Sequence, residues 1–203
     1  MHLATTMSSP PESRVSGSSA ALANERELEL LRRIVLHDRE AFRELYLSYH
    51  RRLARFLMRM SLSHESVEEI INDTLWTVWL KSAEFRGASR VSTWIVGIAY
   101  RRALKSLRQA RAARAPYTDE FTDMASELDI ERGNETQQWL ERAMAELPVE
   151  QRMVMEFAYL MGHSCEEIAQ IMHCPVNTVK TRMFHAREKL RASLPRLAGG
   201  WQP

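Results

Sequence analysis

Apolar residues recur along this chain at spacings of three and four, and no stretch alternates convincingly at a spacing of two. That pattern suits α-helices that each bury one stripe, and it argues against a half-buried sheet. Gly and Pro number only seven each in 203 residues, so helices are seldom broken. The expected fold is all-α, two small helical domains joined by an acidic flexible linker. Residues 1–24, with their Ser, Pro and Gly, read as a disordered extension. Residues 25–114 form the first domain, 115–136 the linker, 137–194 the second domain and 195–203 a tail.

Charge sharpens this division. The total is only +2, but the segments differ. Residues 86–115 carry eight Arg or Lys and no acid, and residues 119–141 carry eight acids and one Arg. Residues 174–191 carry five basic residues and one acid. Basic patches of this density point to a polyanionic partner more strongly than the net charge does.

The stretch "CPVNTVKTRMFHAREKL" (174–190) opens on a helix breaker and continues as an amphipathic helix. Val179, Met183, Ala186 and Leu190 fall on one apolar stripe, with Thr178, Thr181, Arg182, His185 and Lys189 opposite. Asn177 reads as the N-cap after Pro175. Upstream, "CEEIAQIM" (165–172) reads as a short helix with Ile168, Ala169 and Met172 inward. Small Ala169 suits a close helix crossing, and His173 tolerates the left-handed turn. A short helix, a tight turn and a longer basic helix make a helix-turn-helix whose second helix fits a major groove. There Thr178, Lys180, Thr181 and Arg182 reach base edges or phosphates, and Arg187, Lys189 and Arg191 neutralise flanking phosphates.

Two further segments carry signal. In "RGASRVSTWIVGIAYRRALKSLRQARAAR" (86–114), Val91, Ile95, Ile98, Ala99, Ala103 and Leu107 face inward, while Trp94, Arg101, Lys105 and Arg108 line another face. An aromatic ring beside a row of cations suits a single strand, because the cations follow the backbone and the ring stacks on a base. The competing reading makes Trp94 a core residue beside a solvated face. In "SVEEIINDTLWTVWL" (66–80), Val67, Ile70, Ile71, Thr74, Leu75 and Val78 face inward, and Glu69, Asp73, Trp76 and Leu80 fall outward. An exposed Trp among acids suggests a protein interface, unless another helix covers it.

Other classes find little support. No apolar run approaches the ~20 residues of a membrane helix, and the N-terminus lacks the apolar core of a signal peptide. Two cysteines make no disulfide framework, so the chain reads as cytosolic and reduced. His163, Cys165, His173 and Cys174 have no standard metal-ligand spacing. Cys165 and Cys174 lie at opposite ends of one helix, about 13 Å apart at ~1.5 Å per residue. Neither a metal nor a cofactor is expected. No phosphate-binding glycine loop, nucleophile elbow or HExxH occurs, so no catalytic residue is assigned.

The order of these surfaces resembles the extracytoplasmic-function group of bacterial sigma factors, in the sigma-70 family. "DREAFRELYLSYHRRLARFL" and "SVEEIINDTLWTVWLKSAEFRGASRVSTWIVGIAYRRALKSLR" look like sigma region 2. "ELPVEQRMVMEFAYLMGHSCEEIAQIMHCPVNTVKTRMFHAREKLRASL" looks like region 4. The resemblance spans roughly residues 28–194. It implies an alternative sigma factor, a dissociable subunit that docks on core RNA polymerase and directs promoter-specific initiation. By motif position it assigns core docking, on the clamp helices, to Glu69, Ile70, Asn72, Asp73 and Trp76. Opening of the −10 element falls to Phe85, Arg86, Arg90, Trp94, Arg101, Arg102, Lys105 and Arg108. Reading of the −35 duplex, by the helix-turn-helix at 165–187, falls to Asn177, Thr178, Lys180, Thr181, Arg182, His185 and Arg187. The linker would thread the polymerase cleft, and an anti-sigma protein, often membrane-bound, would hold the chain inactive. The chain departs from the pattern where the melting helix usually carries an Asn and a later Asp, here Arg101 and Lys105. The alternatives are a conventional helix-turn-helix regulator that acts without polymerase, and a decoy that binds polymerase alone.

Overall fold

The computed structural model of the protein describes residues 15–60, 62–114 and 135–197. Among these residues the regular structure is entirely helical: α1 (Val15–Val35), α2 (Arg39–Met58), α3 (His64–Lys81), α4 (Val91–Arg114), α5 (Glu135–Ala145), α6 (Val149–Met155), α7 (Cys165–Met172) and α8 (Val176–Leu197). A 3-10 turn, Ser82–Glu84, follows α3, and a π-helical turn, Glu156–Leu160, follows α6. The segment expected to be the acidic linker lies outside the described residues up to position 134. Residues 1–14 and 198–203 lie outside them too.

Local chemistry sets the helix ends. The Asp38 carboxylate starts α2 by accepting from the backbone N–H groups of Glu40 and Ala41. Ser63 does the same for α3, accepting from Ser66 N–H. Before α7 a full capping box forms, with the Ser164 hydroxyl accepting from Glu167 N–H and the Glu167 side chain accepting from Ser164 N–H. Two boundaries differ from the sequence expectation. Helix α1 begins at Val15, inside the segment read as disordered. Three alanines, Ala20, Ala21 and Ala23, favour helix there despite the Ser and Gly around them. Near the middle of α1, half-buried Asn24 accepts from Val91 N–H at 3.0 Å, tying α1 to the start of α4. Asn177 is not the cap of α8. The Pro175 carbonyl already accepts from Thr178 and Val179 N–H, which places Asn177 inside the first turn. Helix α8 also runs on to Leu197, past the expected start of the tail.

Helices α1 to α4 pack into one bundle around Leu45, Tyr49, Leu53, Leu57, Ile71, Leu75, Val78, Ile95 and Ala99, all buried. Helices α5 to α8 form the second unit, with α7 and α8 crossing around Ile168, Ala169, Val179 and Met183. The units are not held apart. Met153, Val154, Phe157, Ile168 and Ile171 are buried in the same core as the bundle. Phe157 packs between Phe56 of α2 and Tyr100 of α4, at 5.6 Å from each ring. Beside it Arg59 donates to the Glu156 carboxylate at 2.5 Å. Burial pushes that carboxyl up from its ordinary range, and Arg59 pulls it back. Helix α7 lies directly on α4. A Cβ built on Gly97 would sit 3.8 Å from the Ile171 Cα, ordinary van der Waals contact with α7.

Candidate nucleic-acid interface

The outward face of α3 carries Glu69, Asn72, Asp73, Trp76 and Leu80. Trp76 is 57 % exposed and Leu80 62 %. Asn72 accepts from the Tyr46 hydroxyl at 3.0 Å. The motif-derived set holds one misfit, Ile70, which is 6 % exposed and turned into the bundle. Its place in the 3.6-residue period dictates that, because it shares the stripe of Val67, Ile71, Thr74, Leu75 and Val78.

Helix α4 and the loop before it form the second face. Gly87 adopts φ +70 in the exposed turn of "EFRGAS", a left-handed backbone that glycine takes without strain. Phe85 and Trp94 pack ring to ring at 5.2 Å. Trp94 is half-buried: it packs against the core and also lines an open cleft. That cleft, about 370 Å³, lies between α3 and α4, with Thr77, Lys81, Arg101 and Arg102 around it. Three cations of this face, Arg90, Arg101 and Arg102, are engaged within the chain. Arg102 donates to Asp73 at 2.5 Å and to the Thr77 hydroxyl at 2.8 Å. Arg101 donates to His173 Nε2 at 2.9 Å. Arg90 grips both carboxylate oxygens of Glu167 through Nε and Nη2 and reaches the Gly162 carbonyl at 3.2 Å. Arg86, Lys105 and Arg108 are exposed.

Glu167 is where these contacts converge. It accepts from Arg90, from the Thr93 hydroxyl at 3.0 Å and from Ser164 N–H at 2.9 Å. Burial alone would raise its carboxyl, but its hydrogen-bond partners outweigh burial and hold it far below the ordinary carboxylate range. His163 Nδ1 also faces it, but at 3.8 Å lies beyond hydrogen-bond reach, so Arg90 is the main direct partner. Sequence reasoning missed Glu167. The Ser164 to Glu167 spacing shows a capping box, but nothing local shows Arg90, 77 residues away.

The third face is the helix-turn-helix. His173 takes φ 50 and ψ 49 after α7, and its N–H and that of Cys174 both donate to the Ala169 carbonyl. Val179, Met183, Ala186 and Leu190 are buried as a single stripe. In α7, Ile168, Ala169 and Ile171 are buried, while Met172 is only half-buried. On the outer side of α8, Asn177, Lys180, Thr181, His185 and Arg187 are exposed, and Thr178 and Arg182 are half-buried. Arg182 pairs with Glu150 and lies 3.7 Å from Cys174 Sγ. Arg187 donates to the Tyr159 hydroxyl at 2.7 Å. Phe184, 59 % exposed, stands among these polar residues. Sequence reasoning missed it too, although its place one residue off the buried stripe was a usable signal. His163, Cys165, His173 and Cys174 do not converge. His163 packs on Phe157, Cys165 Sγ lies 3.8 Å from Met183 Sδ, and His173 faces Arg101. No cluster able to hold a metal occurs among the described residues. None of their helices is long and apolar enough to cross a membrane.

This arrangement agrees with what known proteins show. Residues 45–113 match the family model of sigma-70 region 2, and residues 137–190 match that of sigma-70 region 4. The chain is 30 % identical over 175 residues to the ECF RNA polymerase sigma factor SigM of Mycobacterium tuberculosis, covering 86 % of this chain and 87 % of that one. The fold is similar to CnrH, solved with the cytosolic domain of CnrY, at TM-score 0.62 and 20 % identity over 84 % of this chain and 98 % of that one. It is also similar to RpoE of Bartonella quintana, solved with the anti-sigma factor NepR, at TM-score 0.58 and 24 % identity over 76 % and 96 %. With its three faces in family order and both regions matched, the chain belongs to the extracytoplasmic-function sigma factors, the alternative subunits that direct RNA polymerase to promoters.

Proposed function

We propose a division of labour among the three faces. The outward side of α3, with Glu69, Asn72, Asp73 and Trp76, docks on core polymerase. The face of α4, with Phe85, Arg86, Arg90, Trp94, Arg101, Arg102, Lys105 and Arg108, holds the opened −10 strand. Extruding a base from the duplex costs a few kcal/mol, and stacking beside Trp94 with phosphate contacts offsets it. The outer side of α8, with Asn177, Thr178, Lys180, Thr181, Arg182, Phe184, His185 and Arg187, reads the −35 duplex. Phe184 adds an apolar contact of the kind that suits a thymine methyl. The protein supplies specificity and no catalytic group, works in the cytoplasm, and takes an anti-sigma partner, as one of its fold neighbours does. Residues 115–134, before α5, act as its acidic linker.

The observation that carries this reading is Trp76, standing 57 % exposed on a helix whose opposite stripe is fully buried. A regulator that worked on duplex DNA alone would have no use for that anchor. Run-off transcription with purified core polymerase tests it. Discrete transcripts that vanish in an Asp73→Arg, Trp76→Ala variant support the proposal. A footprint on duplex DNA without core binding would favour the conventional regulator.

A further inference from the structure

The most elaborate polar site among the described residues joins the two units and involves no ligand. Arg90 presents Nε and Nη2 side by side to the Glu167 carboxylate, and the Thr93 hydroxyl adds a third donor at 3.0 Å. This fork matches a phosphate as well as a carboxylate, since both offer two oxygens in one plane to a guanidinium. The acceptor belongs to the helix-turn-helix; the donors belong to the strand-binding face, where Trp94 follows Thr93 directly. While α7 is seated, Glu167 takes the Nε and Nη2 donors of Arg90 and the Thr93 hydroxyl, and Nη2 also reaches the Gly162 carbonyl, so these donors are not open to a second acceptor.

We propose that Arg90 and Thr93 form a binding site for a backbone phosphate of the melted promoter strand, and that Glu167 occupies it as an internal phosphate mimic. Closure of the helix-turn-helix on α4 and capture of the strand are then mutually exclusive. Lys180, Thr181 and His185 of α8 are exposed with α7 seated on α4, so they stay available in both states. Glu167 suits the part because its second role, accepting from Ser164 N–H at 2.9 Å, already fixes its carboxylate in position. This rests on the reading of α4 as the single-strand face and adds which atoms hold the backbone and what displaces them.

The test uses the full chain, with Glu167→Gln and Arg90→Ala alone and combined. Glutamine still completes a capping box, so α7 keeps its start while the charge is lost. Binding is read by fluorescence anisotropy with a fluorescein-labelled 20-nucleotide mixed-sequence single strand and its 20-base-pair duplex, across a salt series. Glu167→Gln should bind the single strand about tenfold tighter, the scale of one lost charge-assisted contact, with duplex affinity unchanged. Its slope of log K against log salt should steepen by about 0.7, one further phosphate neutralised on a single strand. Arg90→Ala also frees α7, yet should show neither the gain nor the steeper slope, and the double variant should follow it. Equal gains in both single variants would overturn the phosphate site and leave only a steric gate. No gain in Glu167→Gln would overturn the mimicry. Binding of duplex but no single strand by every variant would overturn the reading of α4 itself, and binding of neither would overturn both nucleic-acid faces.

Discussion

Helices α4 and α8 are the two most basic helices among the described residues, and their cations are engaged differently. At the seam between the units Arg90, just before α4, is on Glu167, Arg101 is on His173, and Arg102 is on Asp73 within the bundle, while Lys105 and Arg108 further along α4 are exposed. On α8 Arg182 pairs with Glu150 and Arg187 with the Tyr159 hydroxyl, while Lys180, His185 and Lys189 stand in solvent. The contrast follows from packing. The buried stripe of α8 is satisfied by α5, α6 and α7, so its polar side is free to face outward. The side of α4 next to its core stripe carries Gly97, and α7 packs on α4 there, with the Ile171 Cα 3.8 Å from a Cβ built on Gly97. A duplex reader needs no opening before use, whereas a strand-holding face left bare would be a standing site for any single strand. Covering the second with the scaffold of the first separates the two activities.

Phe157 gives the hardest way to break this arrangement. Its ring is fully buried between Phe56 and Tyr100, where the second unit enters the first. Phe157→Ala should cost about 3–5 kcal/mol by lost burial and the cavity left behind, read from urea unfolding. The loss should fall mainly on the seating of α5 to α8, so they should unfold ahead of α1 to α4. A single unchanged transition would show that the shared core is not needed.

Gly97→Leu separates the units more gently. A Cβ there meets the flexible end of Arg101 at 3.2 Å and the Ile171 backbone at 3.8 Å, so the further atoms of a leucine are directed at the seam with α7. Helix α4 itself should gain, since Gly is about 1 kcal/mol poorer than good formers inside a helix. Small-angle scattering should report a radius of gyration above the ~17 Å of a compact chain of this length, with helicity unchanged. A compact particle would mean that α7 can slide along α4.

The Glu167 contact should withstand mild acid. A carboxyl held below its ordinary range contributes stability above that range and loses it only as pH falls through the lower folded value. The difference in single-strand affinity between wild type and Glu167→Gln should therefore persist from about pH 5 to about pH 4, where an ordinary glutamate takes up its proton. A difference lost over that interval would show the carboxylate titrating normally, and the contact would be weaker than its geometry implies.

Much of this was legible in the sequence, and the divide runs between local and long-range physics. The buried stripes of α3 and α8 are those the 3.6-residue period dictates, residue for residue. The left-handed His173 and the helix-turn-helix it joins follow from a turn of three residues. Where a transferred motif and the period disagreed, at Ile70, the period matches the structure. The Arg90–Glu167 grip was not legible, because it depends on how two finished units meet. Nor was the start of α8, where the Pro175 carbonyl does what the Asn177 side chain was expected to do. Trp94 fell between, since a half-buried ring satisfies both of the patterns it could belong to.

The smallest effect on the fold should come from the residues proposed to matter most in use. Trp76 and Phe184 are both more than half exposed, so replacing either with Ala should move the unfolding midpoint by no more than about 0.5 kcal/mol equivalent. Their functional losses should differ in kind. Trp76→Ala removes an aromatic anchor from α3 and should weaken association with core polymerase, leaving duplex binding intact. Phe184→Ala removes an apolar contact from α8 and should cost duplex discrimination, about 1–3 kcal/mol at a preferred base pair, leaving core association intact. Both proteins should remain closed, because neither side chain touches the α4–α7 seam. If one variant lost both activities, the faces would not be independent, and the contrast between a covered α4 and an open α8 would describe one coupled surface instead of two.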